Sequence, residues 1–206
     1  HIDISQLESL TQVLAPTFLD YSANGRIQSP EGNHSTFAAP HGIYRCKGAD
    51  RWCAISVFND KEWEALCNVI DKPGLFSEPE FATVLTRKQN EAELDRVINQ
   101  WTTNFTAEDV MSKMQRQGIS AGVVQNGQDI VDSDPQLAHR HHLFTLDHPE
   151  IGRYVSEAPG FRLSEVPLDL HEPSPCIGEH NYYVCSELLG ISDEDFANMV
   201  SAGVLE

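Results

Sequence analysis

The stretch from Ala39 to Ile70, APHGIYRCKGADRWCAISVFNDKEWEALCNVI, decides how the rest of the chain is read. Gly42 to Cys46 and Trp52 to Phe58 are rich in apolar, β-favouring residues, and the polar connector Lys47-Gly48-Ala49-Asp50-Arg51 supplies the glycine that a turn wants, so the two runs predict a hairpin. Trp52 to Phe58 is apolar at both alternating sets of positions, which predicts a central strand covered on both faces. Asn59 or Asp60 is placed to cap a helix whose Trp63, Leu66, Cys67 and Ile70 fall at i, i+3, i+4 and i+7. The unit is a small sheet with a helix laid on it.

Outward from this unit, Leu7, Leu10, Leu14, Phe18 and Tyr21 mark one helical face near the start, with Pro16 expected to kink it. Asp3 reads as its N-cap with Gln6 three residues later, and Ile2 and Leu7 as a hydrophobic staple. Residues 22–39 (SANGRIQSPEGNHSTFAA) are loop by composition. Asp71-Lys72-Pro73-Gly74 is a helix stop. Thr86 is expected to cap a helix carrying Leu94, Val97, Ile98 and Trp101, and Thr106 to Asp109 is a capping box opening a helix that Gly118 ends. Ile119 to Val124 is another strand, which closes a compact α+β domain from about Pro40. Asn126 to His142 reads as an interrupted helix with a second start at Asp134-Pro135, and Leu143 to Leu163 as short strands around turns at 147–149 and 151–152. Val166 to Pro175, with three prolines, is expected to be an extended connection.

The 206 residues carry a net charge of −17, which argues against nucleic acid, since phosphate binding needs a basic stripe. No apolar run approaches the roughly 20 residues that span a bilayer, and no leader pattern is visible, so a soluble cytoplasmic protein without membrane contact is expected. Five cysteines, none in a C-x-x-C pair, read as reduced core thiols. His139, His141 and His142 form the one histidine cluster. Only His139 and His142 share a helical face, and no acid completes a ligand set, so a solvated helix end is expected there instead of a metal site.

The order Ala39-Pro40-x-Gly42-x-Tyr44, then a Trp-led apolar strand, then Trp63-x-x-Leu66, resembles the start of the small domain in class III CoA-transferases of the formyl-CoA and carnitine-CoA transferase type. SAGVV at 120–124 with Asp134-Pro135-Gln136-Leu137, and Ile177-Gly178-Glu179-His180 leading to Glu187-Leu188-Leu189-Gly190, agree in order and spacing. The resemblance covers nearly the whole chain and is to the C-terminal half of such enzymes. It implies an α+β fold: residues 1–24 as a helix of a large domain, 25–39 as a linker or active-site lid, 40–165 as a small domain with a sheet of three or so strands and flanking helices, and 166–206 as a return segment whose last helices pack on the large domain. The Rossmann-like half would lie outside this chain.

The resemblance further implies an aspartate nucleophile upstream of these residues, coenzyme A as substrate with no separate cofactor, acyl-CoA and carboxylic acid partners, and an interlocked homodimer. Asp3 stands near the nucleophile's place, but capping is its expected role. Gly32, Asn33, His34 and His41 are the candidate substrate-binding residues, on a loop that is either a lid over the thioester or a plain linker. Two alternatives remain open. An α-methylacyl-CoA racemase of the same fold needs a glutamate just after the apolar strand, where this chain has Asn59 followed by Asp60. A non-catalytic interaction module would use the first helix and the acidic last helices as surfaces.

Overall fold

The computed structural model describes residues 1, 3–166 and 172–205. These fall into two compact units, His1–Val124 and Gln125–Glu206.

In the first unit the hairpin forms as expected, with β1 (His41–Arg45) antiparallel to β2 (Trp52–Ser56), Gly42 facing Ile55 and Tyr44 facing Cys53. β3 (Ser120–Val123) joins the other edge of β2, so the three-stranded order is β1-β2-β3 and β2 is central. The two faces of β2 are not equally covered. Cys53, Ile55 and Val57 are buried, whereas Trp52, Ala54 and Ser56 are half-buried and Phe58 is exposed.

Five helices belong to this unit besides a 3-10 turn at Pro73–Ser77: α1 (Gln6–Val13), α2 (Ala15–Asn24), α3 (Asp60–Val69), α4 (Val84–Gln89) and α5 (Glu91–Thr102), and a sixth, α6 (Ala107–Arg116), leads into β3. The apolar faces of α3, α5 and α6 meet on the sheet in one core built around Tyr44, Ile55, Trp63, Leu94, Ile98 and Met114. α5 also satisfies the polar groups of the edge strand β1: Asn99 Oδ1 accepts from the Arg45 N–H at 3.1 Å, Thr102 Oγ1 donates to the Arg45 carbonyl at 2.8 Å, and the buried Tyr44 hydroxyl donates to Asp95 Oδ1 at 2.8 Å.

Several local expectations are corrected. Ser5, not Asp3, caps α1, accepting from the Glu8 N–H, and Asp3 is exposed. Pro16 does more than kink: the chain breaks at Leu14, and Pro16 opens α2 in a first-turn position where its missing N–H costs nothing. The expected staple involves Ile2, which lies outside the described residues. Thr83 caps α4, with Thr86 as its reciprocal partner three residues on, and Asn90 intervenes before α5 begins. Asn59 caps α3, and Asp71 takes up the left-handed conformation that stops it.

In the second unit Asn126 caps α7 (Gly127–Asp132) and Asp134 caps α8 (Pro135–His139), the expected restart. β4 (Leu143–His148) and β5 (Gly152–Glu157) form a single hairpin, so the two separate turns expected are one. His148 explains the difference, because its Nδ1 accepts from the N–H groups of Glu150 and Ile151 and closes the turn from the end of β4. Residues 167–171 of the expected extended connection lie outside the described residues. A π-helical segment (Tyr183–Leu188) precedes α9 (Asp193–Ser201), which Ser192 caps.

Candidate functional site

The loop between α2 and β1 turns at Gly32, whose φ of +64° is left-handed and favours a residue without Cβ. The His34 N–H reaches the Glu31 carbonyl across this turn at 3.3 Å. His41, at the start of β1, places Nδ1 2.6 Å from the Asn33 carbonyl oxygen. A carbonyl only accepts, so Nδ1 carries the proton, and in the neutral ring Nε2 is left as an acceptor. His34 Nδ1 lies 3.5 Å from Glu91 Oε2, and Lys88 Nζ holds the other oxygen of that carboxylate at 2.6 Å.

All four residues singled out from sequence, Gly32, Asn33, His34 and His41, therefore meet at one place. They border a cleft of about 200 Å³ whose other wall includes Tyr44, Asp95 and Asn99. A second hollow of about 500 Å³ is lined by Asp20, Arg26, Gln28 and Phe37 among others, with Gly32, His34 and His41 shared between the two. Burial, reinforced by the Asp95 charge, pushes the Tyr44 phenol well above its ordinary pKa, so it stays a neutral donor to Asp95.

The segment that joins this loop to the sheet is held from below. Ala38, Ala39 and Pro40 are buried, and the Pro40 carbonyl accepts from the Val57 N–H at 2.9 Å. Arg87, fully buried on α4, donates from Nε to the Ala39 carbonyl at 2.9 Å, from Nη1 to the Phe81 carbonyl at 3.1 Å and from Nη2 to Asp60 Oδ1 at 3.1 Å, while its guanidinium lies over the Trp63 ring. Above it, Phe37 stacks on Phe58, and His41 meets the Phe58 ring edge-on. Sequence reasoning missed Arg87, Asp95 and Asn99. An arginine in a polar helix and two polar residues on α5 carry no spacing signal, and only the packing of α4 and α5 turns them inward.

The two positions weighed for an acid or base are engaged elsewhere. Asn59 Oδ1 accepts from the Glu62 N–H at 3.0 Å and its amide donates to Glu62 Oε1 at 2.6 Å, while Asp60 pairs with Arg87. Among the described residues no group of three or more His, Cys, Asp or Glu is disposed to hold a metal ion, and no helix is long and apolar enough to cross a membrane.

A family model described as CoA-transferase family III matches residues 1–181, and the chain belongs to that family. It is 28% identical over 204 residues to the succinyl-CoA--D-citramalate CoA-transferase of Chloroflexus aurantiacus, an alignment covering 99% of this chain and 50% of that protein. It is 31% identical over 175 residues to the formyl-CoA:oxalate CoA-transferase of Streptomyces avermitilis, covering 84% of this chain and 42% of the relative. A probable CoA-transferase of Mycobacterium tuberculosis is 29% identical over the full chain, which spans 26% of it. The chain thus spans between about a quarter and a half of the curated relatives it matches. Among solved structures, a CAIB/BAIF family protein from Brucella suis matches with a TM-score of 0.78 at 24% identity, covering 91% of this chain and 48% of that one, a likeness that speaks for the α+β fold.

Proposed function

We propose that this chain supplies the small domain and the active-site loop of an enzyme that moves coenzyme A from an acyl-CoA thioester to a carboxylic acid. The observation that carries the reading is the family match over residues 1–181. In the reaction an aspartate on a polypeptide half outside these 206 residues attacks the thioester carbonyl. CoA leaves as thiolate and a mixed anhydride forms. The thiolate then attacks the aspartyl carbonyl, giving an aspartyl-CoA thioester and releasing the first acid. The acceptor carboxylate repeats the sequence in reverse, regenerating the aspartate and leaving as the new acyl-CoA. This chain contributes no nucleophile. Residues 32–41 act as the lid, with the backbone turn at Gly32 and Asn33 and the rings of His34 and His41 bordering the substrate, and with water excluded as the loop lies over the thioester.

Two features support transferase over racemase chemistry. Asn59 carries an amide, which cannot act as a base, and is used to cap α3, while Asp60 turns Oδ1 to the buried Arg87 guanidinium and so serves the base of the loop. The exposed face of α1 and α2, with Leu7 at 74% and Leu10 at 62% exposure, is the surface that the large domain and a second subunit of a cytoplasmic, interlocked homodimer would cover. Succinyl-CoA and formyl-CoA are the first donors to try, with citramalate and oxalate as acceptors, after the relatives named for them. The test follows CoA transfer by mass spectrometry in the natural protein, together with its denaturing intact mass. Transfer, with a hydroxylamine-sensitive acyl adduct on an aspartate of a preceding segment or partner chain, is the expected result. Absence of transfer with every donor and acceptor pair, in a protein that contains only these residues, would leave the non-catalytic module in its place.

A further inference from the structure

Between residues 125 and 206 the chain has three arginines and no lysine against fifteen Asp and Glu. Two of those three, Arg140 and Arg162, line one hollow of about 290 Å³, together with His141 and His142. Its remaining surface is largely apolar, from Phe144, Ala158, Phe161 and Leu163. The two guanidiniums come from separate segments. Arg140 is the C-cap of α8, and Arg162 follows β5. The Ala158 N–H donates to the His142 carbonyl at 2.7 Å and so extends the hairpin past its formal end, bringing the residues after β5 beside those before β4. Among the described residues neither Arg140 nor Arg162 forms an ion pair, although carboxylates outnumber them several-fold in this unit.

A helix C-terminus favours cations, which accounts for Arg140 and the histidines beside it. It does not account for Arg162, which comes from the segment after β5, nor for the apolar residues that line the same hollow. Forked donors lining a hollow that is otherwise largely apolar suit an oxyanion carried on an apolar body. We propose that the hollow between α8 and the end of β5 is a binding site for a small organic anion, a carboxylate or phosphate monoester whose aromatic or branched aliphatic body rests on Phe144, Phe161 and Leu163 while Arg140 and Arg162 hold the charged head. The site rests on these residues alone and is independent of the transferase reading.

Titration calorimetry on the intact protein tests it with benzoate, phenyl phosphate, inorganic phosphate and the neutral benzamide as probes. Benzoate or phenyl phosphate is expected to bind, with benzamide at least about tenfold weaker, and R140Q and R162Q are each expected to lose about tenfold in affinity, the usual size of a charge-assisted contact. R153Q, which changes the third arginine on β5 outside the hollow, is expected to bind as the unmodified protein does. All three positions are exposed, and far-UV circular dichroism checks that each variant is folded. The better of benzoate and phenyl phosphate identifies the head group. Equal binding of benzamide would overturn the proposal, as would equal binding of inorganic and phenyl phosphate, an R153Q loss matching the other two, or no heat from any probe at millimolar concentration.

Discussion

Arg87 and Ala39 are 48 residues apart, yet the guanidinium Nε of the first holds the carbonyl of the second at 2.9 Å in the fully buried base of the loop. The bond matters because only Pro40 separates Ala39 from β1, so the base of the loop at residues 32–41 is held by a side chain from α4. Replacing Arg87 with Met keeps much of the volume but strands the carbonyls of Ala39 and Phe81 without donors, at a cost of about 1–3 kcal/mol for each buried group. R87M should therefore lower the urea midpoint by the equivalent of about 3 kcal/mol. D60N should cost less, since the Asp60 side chain is 64% exposed and water replaces part of what it provides. A midpoint for R87M within experimental error of the unmodified protein would show that the loop base does not depend on this arginine.

Gly32 has no atom within 4 Å of where a Cβ would stand, so space does not select glycine there; its φ of +64° does. Gly32→Ala should cost about 1 kcal/mol locally, and because the turn lies in an exposed loop the effect should appear as faster proteolytic nicking within 25–37, with little change in the global urea midpoint. His41→Ala removes the bond to the Asn33 carbonyl and should accelerate nicking in the same segment. Unchanged cleavage rates in both variants would mean that the turn and its histidine clasp do not order the loop.

Asn59 makes a reciprocal pair with Glu62, and Glu62 Oε2 further accepts from the Phe58 N–H at 2.7 Å. Asn59→Ala should destabilise the fold by about 1 kcal/mol, the usual size of a lost N-cap, whereas Asn59→Asp should be near neutral because aspartate caps equally well. A thermal midpoint for Asn59→Ala equal to that of the unmodified protein, or a loss for Asn59→Asp as large as for Asn59→Ala, would show that the cap does not set the stability of α3.

Much of the sheet and its helices was legible because strand alternation and helical spacing are local properties. Trp63, Leu66, Cys67, Leu94 and Ile98 are buried as their spacing implies. Caps were less so. Asp3 and Ser5 are both competent N-caps, as are Thr83 and Thr86, and which of two neighbours caps depends on where the first turn closes. The turn at His148 was misread because a ring nitrogen accepting two backbone N–H groups leaves no composition signal. At the candidate site the loop residues stood out through glycine and histidine in a polar run. Their supports, Arg87, Asp95 and Asn99, did not, since each depends on contacts across more than forty residues.

Leu10 and Phe18 are 62% and 53% exposed, and α1 and α2 bury no residue among those described. Leu10→Ser and Phe18→Ser should leave the urea midpoint within about 0.5 kcal/mol, as surface changes do, while lowering both dye binding and self-association of the isolated 206-residue chain. A large loss of stability from either change would mean that the helices are packed against the core in solution.

Buried thiols give the last expectation, and its sign follows from their direction of shift. Burial pushes Cys53 and Cys67 up to about 12 and raises Cys46 as well, while Tyr44 is raised in the same sense. A group whose proton is held more tightly in the folded state contributes stability that is complete below its unfolded pKa, and loses it as pH rises toward the folded value. For these thiols the window opens near pH 9 and runs to about 12. The urea midpoint should thus fall steadily above pH 9, and Cys67→Ala, measured against its own value at pH 7, should fall less steeply because one of the contributing protons is gone. Iodoacetamide at pH 8 should meanwhile label Cys176, which is partly exposed, well before the buried Cys46, Cys53 and Cys67. A midpoint independent of pH between 9 and 11, or equal labelling of all these thiols under native conditions, would show that the core around β2 opens to solvent far more readily than its packing implies.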